Sequence, residues 1–149
     1  MAHAIELSVY NVKRGGGPFG AVIVKDGEIV GEGFNEVTAS NDPTAHAEVV
    51  AIRNAARKLQ SFDLSGCTIY TSCEPCPMCL GAIYWAKIDR MYYGNTKMDA
   101  DQIGFNDDFI YKEIGKPLGE RQLSSIPLMR EEALAAFRLW NDKSDKTEY

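Results

Sequence analysis

Ser72-Cys73-Glu74-Pro75-Cys76-Pro77-Met78-Cys79 carries most of the chemistry legible in this 149-residue chain, together with His46-Ala47-Glu48 upstream. Only four cysteines occur, and three are crowded here. In a chain without secretory features that spacing reads as metal binding before disulfide. Cys76 and Cys79, three apart at a helix start, lie on one helix face, and the positive end of the helix favours thiolate over thiol. His46 supplies a third ligand from the start of another helix. His46 and Glu48 are two apart, which on a helix body would point them to roughly opposite sides. At a first turn the side chains tilt toward the N-terminus and can reach around a metal beyond the helix end. The pattern therefore requires a metal between two helix N-termini. Three ligands, His46, Cys76 and Cys79, leave tetrahedral zinc one position for water, as catalytic sites do. Glu48 is left over for proton transfer, and one zinc per chain is expected.

Other readings compete. Cys73, Cys76 and Cys79 with His46 could form a closed structural zinc site, which would leave Glu48 and Pro75 without a role. An iron–sulfur run lacks its fourth cysteine, since Ile83 stands in that place. Cys67 lies in an apolar strand and reads as a small core residue, and His3 as a solvated one.

Working outward, the pattern alternates strands and helices. Ala2 to Lys13 forms a first helix with Ile5, Val9 and Val12 on one stripe, ended by Gly15-Gly16-Gly17-Pro18. Phe19 to Lys25 and Glu28 to Asn35 are strands of a hairpin turning at Asp26-Gly27. Asp42-Pro43-Thr44 starts a helix, capped by Asp42 or Thr44, that runs to about Gln60 with Val49, Ile52, Ala56 and Leu59 inward. Strands over Cys67 to Ser72, Met91 to Gly94 and Leu123 to Met129 flank a helix from Pro77 to Ala86 and mixed helix and loop from Met98 to Ile114. A last helix covers Glu131 to Asn141. The expectation is a single α/β domain over residues 1–149, a three-layer α/β/α sandwich on a mixed five-stranded sheet.

Apolar residues make up 45% of the chain, enough for a real core. A net charge of −5 offers no footprint for a phosphate backbone, so no nucleic-acid partner is expected. No apolar run approaches the ~18 residues of a membrane span, and no secretory leader is evident. A cytoplasmic enzyme without membrane association is the expectation.

The H-x-E and P-C-x-x-C elements form the signature of zinc-dependent nucleobase deaminases. From Gly16 to Tyr149 the chain resembles the compact bacterial guanine deaminases of the cytidine/deoxycytidylate deaminase superfamily. Gly17-Pro18-Phe19-Gly20-Ala21-Val22, Ser40 to Glu48 and the Pro75-Cys76 core are shared across that superfamily, including adenosine and cytosine deaminases. Gly104-Phe105-Asn106-Asp107-Asp108-Phe109-Ile110-Tyr111 and the ending Glu148-Tyr149 are more particular to the guanine branch. The resemblance implies a cytidine-deaminase-like fold, a small-molecule purine base as substrate and a homodimer. It implies Glu48 as proton shuttle and Asp107 as a second proton-handling carboxylate. Asn35 would read the purine's polar edge, with the Ala47 amide and the Phe19 ring holding the base. Trp85 and Tyr149 would close the pocket, the latter from a C-terminal tail. Guanosine, cytosine or an aminated triazine would meet the same machinery. A tRNA adenosine deaminase would need a basic rim, and a zinc-stabilised binding module would show no turnover.

Overall fold

Asp26 and Gly27 both take positive φ, 51° and 82°, as a two-residue hairpin turn demands. They join β1 (Gly20–Lys25) to β2 (Glu28–Phe34), antiparallel from Gly20↔Phe34 to Lys25↔Glu28 with an irregularity between Ile23 and Val24. β3 (Cys67–Cys73) pairs antiparallel with the other edge of β1, and β4 (Arg90–Asn95) runs parallel to β3. A parallel neighbour needs a crossover, supplied by α4 (Pro77–Trp85). The sheet order is β2-β1-β3-β4. The other helices are α1 (Ala2–Lys13), α2 (Val37–Ser40), α3 (Ala47–Leu59), α5 (Lys97–Gln102), α6 (Asp108–Ile114) and α7 (Arg130–Asp142). The structure is a computed structural model describing residues 1–148. It divides into two compact units, the first Met1–Phe109 and the second from Ile110 onward.

In the first unit, helices cover both faces of the sheet. Ala21 and Ile23 sit opposite Gly33 and Gly31, on the side facing α3. A Cβ at Gly31 would lie 2.4 Å from Ala51 O, and one at Gly33 2.6 Å from Ala47 O. Gly20, one residue out of phase and so on the other face, meets α1, where a Cβ would lie 2.3 Å from Ala4 O. The core on the α3 side gathers Ile23, Ala51, Ala55, Leu64, Cys67, Ile69 and Ile83. The free edge of β2 is capped by α3: Asn54 Nδ2 donates to Glu32 O at 2.9 Å and Lys58 Nζ to Ile29 O at 2.6 Å. In the second unit, Glu113 pairs with Lys116 and accepts from Gln122 N–H at 2.7 Å, while Arg121 donates to Ile114 O and Lys116 O.

The three-layer α/β/α arrangement is as expected, with four strands among the described residues in place of five. Leu123 to Met129 forms no strand: Leu123, Ile126 and Leu128 are 79%, 83% and 85% exposed, Pro127 lacks a donor, and the segment has no ladder partner among the described residues. The inward faces of two helices also differ from their apolar stripes. On α1 the buried residues are Ala4, Ser8 and Asn11, while Ile5, Val9 and Val12 are exposed. On α3 they are Ala47, Glu48, Ala51 and Ala55, with Ile52 and Leu59 at the rim of the core. Small side chains win both faces because contact with bare glycine backbone leaves no room for large ones. Neither Asp42 nor Thr44 caps α3, whose N-cap is His46. Asp42 Oδ1 instead accepts from the Thr44 N–H and hydroxyl, closing a turn.

Gly33→Ala should cost about 1–3 kcal/mol, the usual penalty of overpacking. Gly119→Ala, with nothing within 4 Å of the new Cβ, should stay within about 0.5 kcal/mol. Urea unfolding midpoints of the two variants check the contrast.

Candidate active site

Two helices begin at a residue able to bind metal. His46 is the N-cap of α3 and Cys76 the N-cap of α4, each with extended backbone (ψ 155° and 169°) and neither side chain spent on capping. Pro77 follows at the first helical position, where its missing N–H costs nothing. Fully buried Pro75 anchors the approach to α4. On the α3 side, the Asp42 turn and the bond from Glu36 N–H to Ala45 O at 2.9 Å fix the entry to His46.

One donor atom from each of His46, Cys76 and Cys79 lies within 4.8 Å of the other two. Cys76 Sγ is 3.6 Å from His46 Nδ1. Ligands bonded at ~2.0–2.3 Å around one tetrahedral ion stand roughly 3.3–3.8 Å apart, so the trio fits a zinc ion after small side-chain adjustment. Two sulfurs and an imidazole are also a donor set that zinc favours. Hydrogen bonds from the Cys79 thiol and from His46 hold Cys76 down to about 4. The same contact with Cys76, then burial, pushes the Cys79 thiol up. His46 is raised by its bond to Cys76. A proton shared between two sulfurs is thus what a metal cation would displace.

Glu48 lies in the first turn of α3, only 7% exposed, in hydrogen-bond contact with Cys79. Burial above all, then the negative charge of Cys76, raises its pKa above the ordinary carboxylate value. Asp107 is half-buried, and its pKa too is raised, first by burial and then by the charge of Cys76. The cap at the start of α6 is made next door, where Asn106 Oδ1 accepts from Asp108 N–H at 3.1 Å.

Phe19 stands edge-on to Phe105, centroids 4.8 Å apart. It lines a cleft of about 310 Å³ with Pro18, Cys73, Asn95, Ala100 and Ile103, near the lower end of the size range of ligand pockets. Asn35 is 8% exposed; its Oδ1 accepts from Val37 N–H at 3.3 Å, while its Nδ2 meets no protein acceptor among the described residues. Ala47 is buried, and its N–H is likewise without a protein acceptor among them. Trp85 is placed apart from the trio: it ends α4, six residues and ~9 Å of helix rise beyond Cys79, and is 69% exposed. Tyr149 lies outside the described residues.

Sequence reasoning missed how two neighbours of the trio are used. Cys73 points its thiol at Thr96 O, 3.5 Å away; burial pushes it up to about 11, and it stands outside the metal trio. Ser72 Oγ accepts from Gly20 N–H at 3.0 Å, fixing the backbone beside Phe19. Two adjacent hydroxyls, Thr71 and Ser72, just ahead of the cysteine run were the available signal. Cys67 is a core residue, as expected.

Residues 1–95 match the model of the cytidine and deoxycytidylate deaminase zinc-binding region. The chain is 53% identical over 150 aligned residues to guanine deaminase of Bacillus subtilis (strain 168), covering 100% of this chain and 96% of that protein. The X-ray structure of guanine deaminase from Bacillus subtilis superposes with a TM-score of 0.96, covering 99% of this chain and 95% of that one. A guanine deaminase from Nitrosomonas europaea superposes with a TM-score of 0.68 at 30% identity, over 91% of this chain and 69% of that one. A further solved structure, a mutant in complex with 8-azaguanine, gives 0.69 at 31% identity over the same shares. The chain therefore belongs to the cytidine and deoxycytidylate deaminase family and, within it, to the guanine deaminases.

Proposed function

We propose that this chain hydrolyses guanine to xanthine and ammonia, with one zinc ion per chain held by His46, Cys76 and Cys79. The observation that carries the reading is the buried Glu48, set against the sulfurs of a three-ligand site. Bound there, zinc supplies Lewis-acid chemistry and lowers the pKa of a coordinated water to roughly 7. Glu48 accepts the proton of the attacking water and returns it to a ring nitrogen of the base. A carboxylate whose proton affinity is raised by burial suits that double task, since it both accepts a proton readily and can pass it on. The added oxygen then loses its remaining proton to become the carbonyl of xanthine, and that proton passes by way of Glu48 or Asp107 to the amine, which departs as ammonia. The free Nδ2 of Asn35 reads an acceptor on the purine's polar edge, the Ala47 N–H donates to the base, and the Phe19 ring meets its face. Water exclusion around the buried Glu48 strengthens each polar contact made there.

The full-length likeness to the Bacillus subtilis enzyme supports guanine over other bases, as does the neighbour with 8-azaguanine bound. The net charge of −5 speaks against a polynucleotide substrate. A homodimer is supported by apolar surface left open in one chain. Tyr84 and Trp85 on α4 are 75% and 69% exposed, Phe137 and Leu139 on α7 are both 74% exposed, and α6 and α7 bury no residue. No helix among the described residues is long and apolar enough to cross a membrane, and we place the enzyme in the cytoplasm.

Ammonia release from a panel of bases, nucleosides and a tRNA anticodon stem tests the substrate. Guanine should be turned over, and adenine and RNA poorly; activity on the tRNA with none on guanine refutes the reading. Cys76→Ala should lose both zinc and activity, whereas Cys73→Ser should keep its zinc, read by metal analysis. Zinc affinity should rise with pH, because the raised Cys79 thiol and His46 imidazole must give up protons on binding, while Cys76, held down to about 4, is already a thiolate at neutral pH. Chelator competition at several pH values measures that slope. Glu48→Gln should retain zinc and lose about 10²- to 10⁴-fold in kcat, measured by ammonia release beside metal content.

A further inference from the structure

Asn11 belongs to none of the roles assigned so far, yet it is 4% exposed on the inward face of α1. A buried amide is costly unless its donors are satisfied. Asn11 Nδ2 donates to Gly17 O and to Asn35 O, each at 2.8 Å. Gly17 O also accepts from Phe19 N–H at 2.9 Å, and Phe19 O accepts from Asn35 N–H at 3.1 Å. These bonds close a circuit: Asn11 to Gly17, Gly17 to Phe19, Phe19 to Asn35, and Asn35 back to Asn11. It ties together a helix, the Gly-Pro turn and the end of β2, and two of its four members are the proposed base contacts.

The surroundings are shaped to the amide. Gly16 N–H donates to Asn11 O at 2.9 Å, and a Cβ at Gly16 would fall 2.4 Å from Asn11 Nδ2. A Cβ at Gly17 would press the Asn35 amide at 3.3 Å. The neighbouring inward positions of α1 hold Ala4 and Ser8, so packing alone has no need of an amide at position 11. The buried Asn35 carbonyl has no other protein donor among the described residues, and Gly17 O, already bonded to Phe19 N–H, takes the second hydrogen of the same amide.

We infer that Asn11 is a positioning residue for base recognition, holding Phe19 and Asn35 at a fixed spacing so that ring and amide meet one purine together. This inference rests on the function proposed above. Asn11 touches no substrate and acts through the backbone of its two partners. Its loss should therefore appear in guanine capture rather than in the proton transfers made by Glu48.

The test is steady-state kinetics on zinc-loaded wild type, Asn11→Asp and Asn11→Leu, with zinc content measured for each. The aspartate keeps the shape but has no hydrogens to give, and the leucine fills the space without polarity. Both should raise KM for guanine about ten- to a hundredfold, the scale of an ångström-level misplacement, with kcat within about threefold and zinc unchanged. In an Asn35→Ala background the KM effect of Asn11→Leu should largely vanish, because coupled residues are non-additive. An unchanged KM, an equal loss in kcat, or full additivity with Asn35→Ala overturns the proposal. Should both variants fail to fold, wild type still decides: the Asn11 side-chain amide protons, followed by NMR, should exchange slowly and sharpen no further with guanine bound. Exchange at the rate of a solvated amide overturns it. Wild type that ignores guanine would count against the function, and the amide exchange would still report on the circuit.

Discussion

The close approach of α3 to β2, open only because Gly31 and Gly33 carry no side chains, sets where the first turn of α3 lies. Backbone from Ala47 and Ala51 comes so near those glycines that a methyl group at either would collide. His46 and Glu48 ride on that turn, so the third metal ligand and the proton shuttle take their positions from a packing contact that contains no chemistry. The other half of the site hangs from β3, whose last residues feed directly into Pro75 and the start of α4. Because β3 and β2 flank the same central strand, the two helix starts converge as a consequence of strand order.

At that convergence, charges are concentrated where they are hardest to keep. Two sulfurs, an imidazole and a carboxylate are drawn from water into a small space, and the protein answers with helix N-termini on both sides. The cost surfaces in the altered proton affinities: Cys76 holds its proton weakly, while Cys79 and Glu48 hold theirs strongly. Such unequal neighbours are the hallmark of a site prepared for a cation. Burial of Glu48 has a double effect, making it a willing proton carrier and keeping bulk water away from the reaction.

Much of this was legible in the residues, because motif chemistry is local. The hairpin follows from Asp26-Gly27, and the metal trio from the spacing of Cys76 and Cys79 with His46 two residues before Glu48. Inward faces were harder. An apolar stripe marks the core side of a helix only when the surface opposite has room for large side chains, and Gly20, Gly31 and Gly33 leave none. Ile5, Val9 and Val12 therefore look outward while Ala4 and Ser8 look inward. Leu123 to Met129 has strand-like composition, but a strand also needs a partner, which composition does not report. Asn11 escaped notice for a related reason: its importance lies in bonds to residues distant in the chain.

The caps on β2 have a bearing on how this protein behaves at high concentration. An uncovered outer strand is a template on which another chain can polymerise, and many proteins guard it with lysine or with a bend. Here Asn54 and Lys58 reach over from α3 and occupy the outward carbonyls of Glu32 and Ile29. Both guards belong to the helix that also carries His46 and Glu48 at its other end. Any loosening of that helix thus uncovers an adhesive border as it dismantles the metal site, tying colloidal stability to catalytic integrity.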